Sequence, residues 1–84
     1  PMKIITATRL VALINERMTA DYQQEKRHDA LWRIAHGTTW VHMPAAMAQT
    51  ATYELTEHTL DGQPLYEVPA DVEIDADEWA LIVD

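Results

Sequence analysis

Leu31-Trp32-Arg33-Ile34-Ala35-His36-Gly37-Thr38-Thr39-Trp40-Val41-His42-Met43 contains the change of periodicity that decides the fold class. Before Gly37, apolar Leu31, Ile34 and Ala35 recur at three- and four-residue spacing, which lines one face of a helix. After it come β-branched and aromatic residues, which fit the pleated, half-buried surface of a strand. Gly37 suits the left-handed residue that ends many helices.

Upstream, residues 8–36 contain neither Gly nor Pro and are rich in Ala, Leu, Arg, Glu and Gln, side chains that lose little entropy in a helix. Leu10, Leu13, Ile14 and Met18 form a second apolar stripe. Between the stripes, Thr19 and Asp21 favour helix N-caps over helix interiors, so the chain is expected to break at residues 18–21. The spacing predicts two helices, over about 8–18 and 21–36, with one continuous helix as the alternative.

Downstream, residues 38–43 predict a strand that Pro44 stops, followed by a short helical turn through residues 45–48. Residues 51–60 and 64–68 flank Asp61-Gly62-Gln63, and an Asp-Gly step supplies the positive backbone angles of a tight hairpin. Asp71-Val72-Glu73-Ile74-Asp75-Ala76-Asp77 alternates acid and apolar residues, as a strand with one buried and one solvated face does. The run 79–83 reads as a strand from its β-branched and aromatic content, or as a short helix capped by Asp75 or Asp77. The expected fold class is α+β: two N-terminal helices packed on a small antiparallel β-sheet of three to five strands with an acidic outer face. A length of 84 residues fits one domain, 1–84, with a helical part at 8–36 and a mainly β part at 38–84.

Charge divides the chain at the same place. Residues 1–33 hold all six basic side chains (Lys3, Arg9, Arg17, Lys26, Arg27, Arg33), and residues 34–84 hold ten of the fourteen acids and no Lys or Arg. If Asp71, Glu73, Asp75 and Asp77 share a strand face, they stand about 6.6 Å apart, and unrelieved like charges at that spacing cost stability. Glu54, Glu57 and Glu67 on the neighbouring hairpin extend the field. Natural surfaces usually mix charge signs, so a one-signed face suits a basic partner. The expected partner-binding residues are therefore Glu54, Glu57, Glu67, Asp71, Glu73, Asp75 and Asp77, with Trp79 as an apolar anchor.

The expected partner is a protein with a basic surface. One form is a nucleic-acid-binding enzyme or complex whose phosphate groove the carboxylates would occupy. In outline, helices followed by an acidic sheet, the chain is similar to small acidic inhibitors that mimic DNA, some of them phage-encoded. The other form is an assembly partner, such as the toxin of a toxin-antitoxin pair. A homodimer, the basic helix of one subunit on the acidic sheet of the other, is also compatible with the charge polarity.

Direct binding of nucleic acid or an anionic membrane is disfavoured by a net charge of −8. With no cysteine, disulfides and thiolate chemistry are absent, and the cytoplasm is the expected location. The apolar run 10–14 falls far short of the ~20 residues that span a bilayer. No cofactor or metal site is expected: the histidines at 28, 36, 42 and 58 match no zinc spacing, and 75–78 lacks the Gly and Glu of a calcium loop.

The chain has two glycines and no serine, which leaves no phosphate loop and no serine nucleophile. The expectation is a protein that is not an enzyme. One enzymatic alternative rests on Pro1-Met2-Lys3-Ile4-Ile5 leading into a helix, which resembles the start of the tautomerase superfamily, where an N-terminal proline is the base. The long helical stretch and acidic sheet depart from that family's short β-α-β unit. Pro1 otherwise reads as a residue added for expression ahead of Met2.

Overall fold

A computed structural model describes residues 2–46, 49–70, 72 and 81–83. The order of elements is β1 (Met2–Thr6), α1 (Ala7–Arg17), a 3₁₀ turn (Asp21–Gln23), α2 (Gln24–Ala35), β2 (Trp40–Ala46), β3 (Gln49–Leu60), β4 (Gln63–Val68) and β5 (Leu81–Val83). The fold is α+β. The strands form one sheet in the order β2-β3-β4-β1-β5, with every neighbouring pair antiparallel. The helices do not come first: β1 precedes them and lies between β4 and β5, where Ile4 and Ile5 are fully buried.

Helix α1 begins one residue after the strand ends. Thr6 stays extended and its hydroxyl accepts from the Arg9 N–H at 3.1 Å, relieving one of the helix's unpaired donors. The break between the helices falls where the sequence places it, but for another reason. Neither Thr19 nor Asp21 caps α2: Ala20 precedes the 3₁₀ turn and Gln23 precedes the helix, both without a side-chain cap bond. What ends α1 is Met18, which leaves helical geometry at φ −100° and ψ 70° and is buried in the core. Arg27 holds the two helices together by donating to Asn15 Oδ1 at 2.9 and 3.2 Å. Gly37 ends α2 at φ 65°, as expected.

Pro44 does not stop β2, which continues to Ala46 with no helical turn at 45–46; residues 47 and 48 lie outside the described residues. The reason is a matter of direction. The Leu55 N–H donates to the Thr39 carbonyl at 2.9 Å, so the main-chain groups of Thr39, Val41 and Met43 face β3 and those of Trp40, His42 and Pro44 face outward. A proline there removes a donor the sheet never uses. The β3–β4 hairpin forms as expected, with Asp61 (φ 51°) and Gly62 (φ 79°) as its two-residue turn and Leu60 opposite Gln63.

The helices cover one face of the sheet. Leu10, Leu13, Ile14, Met18 and Ala30 pack against Ile5, Val41, Met43, Tyr53, Tyr66 and Val68. Val72 joins this core, and the Lys3 ammonium donates to its carbonyl at 3.0 Å, tying β1 to the turn after β4. By register, Ile4 and Leu65 lie on the other face, and both are buried without belonging to that core. The sheet is therefore packed on both sides at β1 and β4.

Candidate interaction face

On the face away from the helices, cross-strand register builds the row Trp40–Glu54–Glu67–Ile4. Glu54 and Glu67 are direct partners. Since the outward-facing residues of β2 fix the alternation, Glu54 and Glu67 exchange both ladder hydrogen bonds, which sets their Cα atoms about 5.5 Å apart. Glu54 is exposed and Glu67 half-buried, next to Leu65 and Pro69. Like charges directly opposed in a sheet are destabilising, and among the described residues no Lys or Arg forms a salt bridge to either. A depression of about 160 Å³ lies beside them, lined by Thr52, Glu54, Glu67 and Pro69. That is below the volume of typical small-molecule pockets.

Glu57 does not join this row. Between Leu55 and Thr59 the register shifts, with β3 advancing four residues while β4 advances two. Thr56 Oγ1 donates to the Leu65 carbonyl at 2.8 Å and accepts from the His58 N–H at 3.2 Å, so one hydroxyl serves two backbone groups where the ladder is interrupted. Glu57 is exposed on that bulge. The expected ladder of Asp71, Glu73, Asp75 and Asp77, and the anchor Trp79, lie outside the described residues. Of the expected site, Glu54 and Glu67 are brought together.

The other end of the row carries an aromatic and basic cluster. Trp40 and His42, two apart on β2, share a face as their spacing implies, with ring centroids 4.5 Å apart. The third member, Arg33, lies 3.6 Å from the Trp40 centroid and also donates to Asp29 at 2.9 Å. Its signal was available: Gly37 reverses the chain, which returns β2 alongside the last turn of α2. Thr52 and His42 share a hydrogen bond of 2.9 Å between Oγ1 and Nδ1. Trp32, half exposed on α2, stacks on His36 at 4.0 Å.

Among the described residues, no group of three His, Asp or Glu side chains converges to hold a metal ion. Among them, too, no helix is long and apolar enough to cross a membrane. Comparison with protein-family models, with curated proteins and with solved structures finds no match.

Proposed function

We propose that this protein is a non-enzymatic interaction module whose acidic sheet face binds a partner with a basic surface. In the form we favour, it is a small inhibitor whose carboxylates occupy the phosphate-binding groove of a nucleic-acid-binding protein. The observation that supports this is the opposed Glu54–Glu67 pair, an arrangement that costs stability and has no compensating cation among the described residues. A basic partner would relieve the repulsion on binding. The chain's charge of −8 would steer such a partner to the face and raise its on-rate more than its affinity.

The test is capture of binding proteins by immobilised wild type and by Glu54→Lys/Glu67→Lys, at low and high salt, with elution by short duplex DNA. A salt-sensitive nucleic-acid-binding protein that DNA releases and the double variant fails to hold is the expected result. Equal capture by both forms would overturn the assignment of the face. Capture lost in the variant but not displaced by DNA would retain the face and replace phosphate mimicry with assembly.

A further inference from the structure

The two helices are held to the sheet unequally. Helix α1 buries Leu10, Leu13 and Ile14, is followed by the buried Met18, and starts from the Thr6 cap. Of the twelve residues of α2, only Ala30 is fully buried, while Leu31 and Ile34 are half-buried at the rim of the core. Apolar stabilisation scales with the area removed from water. One methyl group and two partly exposed side chains therefore dock α2 less firmly than three buried Leu and Ile side chains dock α1.

Position and polar contacts do not make up the difference. Helix α2 rests on α1 and on β2, the margin of the sheet. Neither the 3₁₀ turn before it nor α2 itself begins with a side-chain cap bond, so its start lacks what Thr6 gives α1. The Arg27–Asn15 bonds between the helices are exposed, where water replaces them at little net cost. The Arg33–Asp29 ion pair lies within α2 and does not resist its departure. A helix of this length is marginal in water by itself, so α2 unwinds when it leaves.

We infer that α2 is a cover that opens as a unit, between hinges at residues 19–20 and Gly37, while α1 and the sheet stay folded. This is local unfolding, with a free energy below that of the whole fold. Opening uncovers the helix-side face of β2, where Val41 and Met43 are fully buried in the closed form. It also withdraws the Arg33 guanidinium from Trp40, so the state of α2 sets whether a cation stands at that end of the Glu54–Glu67 row. The inference rests on unequal burial and capping and is independent of the acidic-face reading.

The test is native-state amide hydrogen exchange, followed by NMR in wild type and Thr6→Ala at several urea concentrations below the unfolding transition. The reference amides are Ile5 and Tyr66, which face each other on β1 and β4. The amides of residues 30–34 are expected to be at least about tenfold less protected than these, with a weaker dependence on urea, because opening α2 exposes less surface than unfolding the chain. Thr6→Ala should lower protection of Ile5 and Tyr66 about fivefold and leave the α2 amides unchanged, since the α1 cap persists in the open state. Protection, urea dependence and Thr6→Ala response shared by α2 and the reference amides would overturn the inference, because α2 would then leave only with the whole fold. Weak protection of α2 that Thr6→Ala weakens further would overturn it as well, because α1 would then open with α2.

Discussion

Tyr66 is fully buried in the helix-side core, and among the described residues its hydroxyl finds no hydrogen-bond partner. A buried hydroxyl left unpaired costs about 1–3 kcal/mol, so Tyr66→Phe should leave stability unchanged or raise it by up to about 1 kcal/mol in urea denaturation. Burial also pushes the Tyr66 pKa above its ordinary value of 10.0. With the folded pKa above the unfolded one, this contribution is full below about pH 10 and is lost as pH rises through the folded pKa. Tyr66→Phe should accordingly flatten the fall in stability above pH 10, and an identical alkaline slope in both proteins would contradict the burial argument. Thr6 is the second residue whose loss is readable: Thr6→Ala removes the α1 cap and should cost about 1 kcal/mol by thermal or urea unfolding. Glu67→Lys places a cation opposite Glu54 and should stabilise the fold by about 0.2–1 kcal/mol, while weakening capture of a basic partner. A variant that is both less stable and fully competent in capture would contradict the repulsion argument.

At the scale of elements, the sequence was legible wherever a local signal sufficed. The Asp61-Gly62 turn, the Gly37 stop and the break after α1 are set by a few adjacent residues, and each falls where the pattern puts it. Two readings failed because the deciding information lay across the chain. Met2–Thr6 forms an interior strand because β4 and β5 flank it, and pairing across such a sequence distance leaves no local mark. Pro44 reads as a stop, yet stays in β2 because its nitrogen faces away from β3, a fact set by register and invisible to propensity. Within the candidate site, the turn register that sets Leu60 opposite Gln63 would by itself place Glu54 opposite Pro69; its opposition to Glu67, like the departure of Glu57, follows from a bulge that no residue of the run announces. Pro44 also guards an open edge. Pro44→Thr restores a donor there and should promote self-association, seen as a concentration-dependent mass in sedimentation or light scattering. A variant that stays at the wild-type mass over the same concentrations would show that the edge is protected by other means.

For the molecule as a whole, charge and architecture follow the same division: basic residues occur up to the end of α2, and everything beyond Gly37 is free of Lys and Arg. Arg33 over Trp40 and Lys3 on the Val72 carbonyl are two described contacts in which a basic side chain of the first part meets the second. The second of these belongs to β1, which is made before the other described strands and must wait for β4 and β5. Lys3 through Thr6 find their β4 partners, Val68 back to Leu65, only after both helices and two intervening strands have been made. A ribosome adding about 5–20 residues per second would leave Ile4 and Ile5 without their flanking strands for a time on the order of seconds. For that interval Ile4 and Ile5 lack their sheet partners, and the speed of translation through residues 7–68 sets how long that exposure lasts.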